Sequence, residues 1–207
     1  MEILKVDQVG IDTAAARAAA VIAAGGIVVY PTDTLYGIGV NALNADAVQR
    51  AKRLKGRDTK KPFSIMAPSL EAIAWHADLT PVAAELAHRF FPGKLTLVLP
   101  AKAHLPEEVT LNGAIGVRIP DDAFSRSLAA MSEYPVTATS ANLAGASVPA
   151  TIPEIIRHFG PKIAEIDLFV DDGPRAGDTP STVVADMGGT LRILREGALT
   201  REVLGLS

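Results

Sequence analysis

Six short stretches of this chain gather hydroxyls, cations and glycines in patterns that could do chemistry. In YPTDTLYGIG (Tyr30 to Gly39) an apolar run breaks into Pro31-Thr32-Asp33-Thr34 and resumes with Tyr36 and two glycines. Thr32 and Thr34 offer hydroxyls, and the glycines let backbone approach a ligand. The same residues could also make a tight, capped connection. In Lys52 to Pro62, up to six cations surround Gly56, including Lys55, Arg57 and Lys61. Positive charge is welcome at a helix C-terminus, so this is either a solvated face or an anion site. Arginine grips phosphate with two parallel hydrogen bonds, and lysine adds a point charge. Thr137 to Asn142 closes a β run with small groups, among them Ala138, Ser140 and Asn142. It reads as a turn, or as a strand-end site for ribose, phosphate or amide. Arg118 interrupts the apolar run GVRIP (Gly116 to Pro120), so it needs an anion or several acceptors. That anion is either a protein carboxylate or a substrate carboxylate held bidentately. Ser181 opens STVVAD (Ser181 to Asp186) after a loop dense in glycine, proline and aspartate. Arg195 either pairs with neighbouring Glu196 or contacts phosphate.

Several chemistries are missing from the sequence. There is no complete GxGxxG, no GxxxxGK[ST], no HExxH and no GxSxG. The four histidines, His76, His88, His104 and His158, are scattered, and His76 and His88 fall in predicted helices with no matching partner. A metalloprotease or serine hydrolase is therefore discounted, and no protein metal site is expected. Cations, hydroxyls and glycine backbone suit phosphate-ester or acyl-adenylate chemistry. There, position and charge stabilisation can replace a protein nucleophile.

The elements that must position these groups alternate. The spacing predicts a helix from Asp12 to about Ala24, a buried strand over Ile27 to Tyr30, and a short extended piece around Ile38 and Val40. A helix follows from Asp46 to Leu54, then a strand over Phe63 to Met66. Ser69 caps the helix carrying Ile73, and Thr80 with Pro81 opens the next. Strands are expected over Leu95–Leu99, Ile115–Ile119, Val136–Thr139, Leu168–Val170, Val183–Val184 and Leu191–Leu194. Asp121 is expected to start a helix bearing Phe124, Leu128 and Met131. Thr151-Ile152-Pro153-Glu154 is a capping box. The alternation implies a mixed α/β sheet, with the loops Ala141–Pro149 and Asp171–Pro180 at one edge of it.

Composition agrees. The chain has 207 residues, 48% hydrophobic, enough to bury one core. A net charge of -3 and 5% aromatics argue against a broad nucleic-acid-coating surface but allow a local basic cleft. With no cysteine, disulfides, iron–sulfur clusters and thiolate zinc sites are excluded, and an intracellular, cytoplasmic setting fits. No apolar run approaches the roughly 18 residues a membrane helix needs.

Together, YPTDTLYGIG, KGR (Lys55 to Arg57), PGKLTLVL (Pro92 to Leu99), GVRIP, TSAN (Thr139 to Asn142) and STVVAD resemble the YrdC/Sua5/YciO family, the threonylcarbamoyl-AMP synthases. The resemblance covers nearly the whole chain, and the six pieces stand in the family's order. It implies a single YrdC-like domain over residues 1–207, a curved mixed sheet with flanking helices around a concave basic cavity. The further C-terminal domain of the Sua5 form is not expected. It implies synthesis of L-threonylcarbamoyladenylate and pyrophosphate from L-threonine, bicarbonate and ATP with Mg²⁺. The product serves threonylcarbamoyladenosine formation at position 37 of tRNA, and a separate transferase completes that step. By resemblance, Lys55, Arg57, Ser140 and Asn142 match the KxR and SxN signature and would be catalytic. Arg57, Lys61, Ser140, Val148 and Arg195 would surround ATP. Thr32, Thr34, Arg118, Ala138 and Ser181 would surround threonine, with Arg118 on its carboxylate. Many synthases carry a histidine nine residues after the KxR arginine. Here that position is Met66, and Pro62 to Met66 looks like the YciO-type paralogues, which run a related adenylate-forming reaction. A double-stranded RNA-binding module, with at most weak RNA affinity, is the alternative from another class.

Overall fold

A computed structural model describes residues 1–56, 61–175 and 179–206. Among these residues ten strands form one mixed sheet: β1 (Glu2–Lys5), β2 (Val28–Tyr30), β3 (Gly37–Gly39), β4 (Ser64–Met66), β5 (Leu95–Pro100), β6 (Ala114–Arg118), β7 (Val136–Ser140), β8 (Leu168–Asp171), β9 (Thr182–Asp186) and β10 (Leu191–Arg195). Their order across the sheet is β1-β8-β2-β3-β7-β4-β6-β5-β9-β10. The pairs β1/β8, β2/β8, β4/β6 and β5/β9 are parallel and the others antiparallel. This is the mixed α/β sheet with flanking helices that the alternation implies. β7 sits in the middle, between two strands from the first third of the chain. That placement brings Val136 to Ser140 beside Gly37 to Ile38 and Ser64 to Met66.

Helices cover the two faces unequally. The helices α3 (Ala45–Lys55), α5 (Pro81–Phe90) and α7 (Ile152–Phe159) bury Val48, Leu54, Leu86, Ile155 and Phe159 in one apolar cluster with Val29, Ile38, Ile65, Leu97 and Val117. On the other face, α2 (Ile11–Ala23) packs against α6 (Ala123–Met131). Ala14, Ala18, Ile22, Phe124 and Leu128 meet Val28, Tyr30, Met66, Val136 and Leu168 there. Side chains two apart on a strand share a face. Ser64 thus shares the face of Met66, and Ala138 and Ser140 share that of Val136. These polar and small residues lie beyond the α2–α6 pair, and a cavity opens there.

Local signals read correctly where the cap is a short-range hydrogen bond. Thr151 Oγ1 accepts from the Glu154 amide while Glu154 reaches back to the Thr151 amide, completing the capping box. Ser69 caps α4 (Leu70–His76) and Thr80 caps α5, both as expected. Three starts differ by one or two residues. Gly10, not Asp12, precedes α2, because a preceding turn, α1 (Val6–Val9), ends at that glycine with φ 82°. Asn44 caps α3 through Oδ1 on the Ala47 amide at 3.0 Å. Asp122, not Asp121, caps α6 on the Ser125 amide at 2.8 Å. The four-residue elements β1, α1 and α8 (Arg201–Leu204) are too short to show a periodicity.

Fully buried Thr182 anchors the segment after β10. Its Oγ1 donates to the Leu199 carbonyl (2.6 Å) and accepts from the Gly197 and Leu199 amides (3.0 and 2.9 Å). Thr182→Val keeps the shape and strands all three groups, so a loss of about 2–3 kcal/mol in denaturant melts is expected.

Candidate active site

The cavity has a volume of about 370 Å³. Its walls come from strand ends and connections far apart in sequence. The 31–36 connection brings Thr32 and Thr34, and β6 brings Arg118. β7 brings Ala138 and Ser140, and Ser181 and Arg195 come from the β9–β10 edge. Lys61 stands at its rim, exposed. Among the described lining residues there are three cations and no carboxylate. A concave site of that composition selects anions.

Arg118 has a protein carboxylate beside it and also faces the cavity. Its Nη2 meets Asp33 Oδ1 at 2.5 Å, with side chains 10% and 5% exposed, so the arginine has a protein carboxylate. It also lines the cavity and keeps further donors. Its Nε is buried with no hydrogen-bond partner among the described residues. Arg195 does not pair with Glu196, which instead lies 3.9 Å from Arg201. Arg195 Nη2 donates to the Ser181 carbonyl at 2.8 Å and leans on its Oγ at 3.4 Å. Among the described residues no carboxylate pairs with Arg195. Burial first, and the nearby Arg118 charge second, hold its pKa below the ordinary arginine value. Two guanidiniums that repel one another across a cavity are relieved by a bound anion.

The hydroxyls are already organised. Thr32 Oγ1 donates to the Leu35 carbonyl (2.6 Å) and accepts from the Thr34 and Leu35 amides, so it shapes the connection. It also sits 3.1 Å from Thr34 Oγ1. Ser181 Oγ lies 2.9 Å from Thr96 Oγ1 on β5. Tyr36 lines the same wall, and its hydroxyl donates to the Gly173 carbonyl at 2.7 Å. Burial, mainly, pushes that phenol up to about 12, so it remains a donor at neutral pH.

The KxR and SxN residues divide. Ser140 lines the cavity, whereas Lys55 and Asn142 stand behind it. Lys55 is 2% exposed, and its Nζ donates to the Ser140 carbonyl and to Asn142 Oδ1. Ser140 Oγ donates to Asn142 Oδ1 at 2.6 Å. Lys55 can lie there because Gly56 ends α3 in the left-handed conformation, φ 60°. Its position suits a brace that fixes Ser140. Val148 is half-buried outside the cavity lining, and Arg57 lies outside the described residues.

Sequence reasoning missed Thr96 and the role of Asp33. Thr96 lies two residues from Val98 on the cavity face of β5, a period-two signal. The partner of Asp33 is 85 residues away. His76 is not isolated, since its Nδ1 lies 3.0 Å from His104 Nε2, and neither residue lines the cavity. Among the described residues no group of three or more acidic or histidine side chains could hold a metal ion, and no helix is long and apolar enough to cross a membrane.

Comparison with known proteins bears on what this cavity is. The Sua5/YciO/YrdC family model, described as telomere recombination, matches residues 20–197. The chain is 35% identical over 175 residues to the putative threonylcarbamoyl-AMP synthase of Methanocaldococcus jannaschii, covering 84% of this chain and 81% of that protein. It is 35% identical over 197 residues to threonylcarbamoyl-AMP synthase of Bacillus subtilis, covering 92% of this chain and 55% of that protein. Sua5 of P. abyssi, solved with L-threonine, superposes with a TM-score of 0.87 at 33% identity, over 99% of this chain and 61% of that one. YciO of E. coli superposes with a TM-score of 0.83 at 25% identity, over 93% of each chain. The chain thus spans little more than half the length of the Bacillus and Pyrococcus proteins. With a family match across most of its length and the same sheet beneath, this chain belongs to the Sua5/YciO/YrdC family.

Proposed function

We propose that this chain makes L-threonylcarbamoyladenylate and pyrophosphate from L-threonine, bicarbonate and ATP. A single observation carries the reading: one cavity collects Thr34, Lys61, Arg118, Ser140, Ser181 and Arg195, with no carboxylate among its described lining residues. Arg118 takes the threonine carboxylate, with Thr34, Ala138 and Ser181 around the rest of the amino acid and Thr32 holding that wall in shape. Lys61, Ser140 and Arg195 face ATP, with Arg57 and Val148 assigned to it by family resemblance. Magnesium arrives with ATP as part of the substrate, bound to its phosphates.

The neutral amine nitrogen of threonine forms a bond to the bicarbonate carbon, and hydroxide leaves as water after taking a proton. An oxygen of the resulting carbamate then attacks the α-phosphorus. The bond to the bridging oxygen breaks, and its electron pair leaves with pyrophosphate. Arg195 and Lys61 stabilise charge on the phosphoryl oxygens, and Ser140 fixes their place. Lys55 and Asn142 serve catalysis by holding Ser140. The product would pass to a separate tRNA transferase.

The test is pyrophosphate release by purified protein with MgATP and bicarbonate, with L-threonine, with L-serine and with neither. Threonine-dependent release, with threonylcarbamoyl-AMP seen by mass spectrometry, is the expected result. Release that ignores threonine overturns the assignment. A second reading, a YciO-type paralogue taking another amine, is favoured by Met66, which is 2% exposed and clustered with Tyr30 and Phe124. Its signature is ATP binding without threonine turnover. RNA affinity falling steeply with salt, without turnover, would mark an RNA-binding module instead.

A further inference from the structure

We propose that Asp33 is the positioning residue for Arg118, and that it sets the affinity of this cavity for the carboxylate of its amino-acid substrate. The proposal deepens the reading above and rests on it for the identity of the amino acid. Asp33 does not line the main cavity. It borders a second, polar hollow with Asp121, Asp122 and Arg175, on the other side of Thr32 and Thr34. Its carboxylate therefore forms part of the wall behind Arg118, out of the substrate's place.

Both carboxylate oxygens are engaged. Oδ1 accepts from Arg118 Nη2 at 2.5 Å, and Oδ2 faces the Asp121 amide at 3.3 Å. These partners flank the turn between β6 and α6. The helix that follows, α6, is tied back to the 31–36 connection by Ser125 Oγ, which donates to the Pro31 carbonyl at 2.7 Å. Asp33 is thus held at both oxygens, two residues from the anchored Pro31 carbonyl. An arginine on a flexible stem loses rotamer freedom whenever it grips a ligand. Here the protein has already restricted that freedom.

Charge points the same way. Arg118 and Arg195 share the cavity and repel one another. Without Asp33, the Arg118 guanidinium would be drawn to another acceptor and away from Arg195. With it, Nη2 is held and the remaining donors stay available to a carboxylate. One negative charge behind the wall does not neutralise two guanidiniums, so the cavity retains its attraction for anions.

Asp33→Asn preserves shape and removes the charge. The expected result is a rise of at least tenfold in the L-threonine Kd by calorimetry and in its KM. The ATP KM and kcat at saturating threonine should change less than threefold. In an Arg118→Gln background the same substitution should add less than twofold, because its effect runs through the arginine. An unchanged threonine affinity, equal losses for threonine and ATP, or full additivity with Arg118→Gln would each overturn the proposal. A second readout needs no substrate: the Arg118 Nε–H resonance in ¹⁵N NMR, buried in the wild type, should broaden or exchange faster in Asp33→Asn. An unaltered resonance overturns the positioning role even if the wild type proves not to bind threonine. Absence of threonine binding by the wild type would itself count against the function proposed above.

Discussion

Arg118→Gln should raise the threonine KM about a hundredfold and also destabilise the fold. The two effects have separate causes. Truncating one member of a desolvated, hydrogen-bonded charge pair costs about 2–5 kcal/mol of binding, and about 3 kcal/mol corresponds to that hundredfold. The ligand arm is lost because glutamine cannot offer a guanidinium fork. The stability arm arises because Asp33, 5% exposed, is left without its cation. Breaking a buried pair in this way costs about 3–5 kcal/mol. The arms can be parted experimentally. Adding Asp33→Asn to Arg118→Gln should restore most of the denaturant midpoint and none of the threonine affinity. A double variant that regains threonine binding would show that Arg118 does not hold the carboxylate.

Gly197→Ala should also be damaging, although Gly197 does not line the cavity. A Cβ built there would lie 2.3 Å from the Pro180 carbonyl oxygen and 2.6 and 2.7 Å from the Ser181 carbonyl carbon and oxygen. These are backbone atoms, which cannot rotate aside as a side chain could. Either the Gly197 segment or the Pro180–Ser181 segment must move. The Ala198 amide donates to that Pro180 carbonyl at 3.0 Å, and Arg195 donates to that Ser181 carbonyl at 2.8 Å. The shift therefore reaches both walls of the cavity at this edge. Overpacking of this kind costs about 3 kcal/mol, at the upper end of the usual range. We expect a lowered denaturant midpoint and at least a tenfold loss in kcat/KM for threonine and ATP alike. The equal loss distinguishes it from Asp33→Asn, which should spare ATP. Wild-type activity in Gly197→Ala would mean that the close approach of these two segments is not needed for the site.

The fate of Lys55 shows where local reading stops. In the sequence it is one of several cations at the end of a helix, with a solvated face and an anion site as the natural alternatives. The fold selects neither. It turns the ammonium inward to the Ser140 carbonyl and Asn142, more than 80 residues along the chain. The preference of a cation for a helix C-terminus is local, but the identity of the acceptor depends on where β7 enters the sheet. His76 is a similar case, since its partner His104 arrives from a loop after β5.

What the sequence alone determined is what depends on neighbours within a few residues. The Thr151–Glu154 box, the Thr80–Pro81 start and the glycine end of α3 are short-range hydrogen bonds and backbone preferences. The need of Arg118 for an anion was equally legible, because a guanidinium in an apolar run cannot stay unpaired. The mixed α/β class followed from alternating periodicities, and the order of six polar stretches carried the family. Tertiary structure alone decided that the anion is Asp33, that Ser181 meets Thr96, and that Arg195 turns from Glu196 to the Ser181 carbonyl. The first two contacts join groups 85 residues apart, and all three depend on which strand ends and connections the sheet brings together. Strand order and register arise from burying both faces of the sheet at once, and no window of adjacent residues contains that constraint.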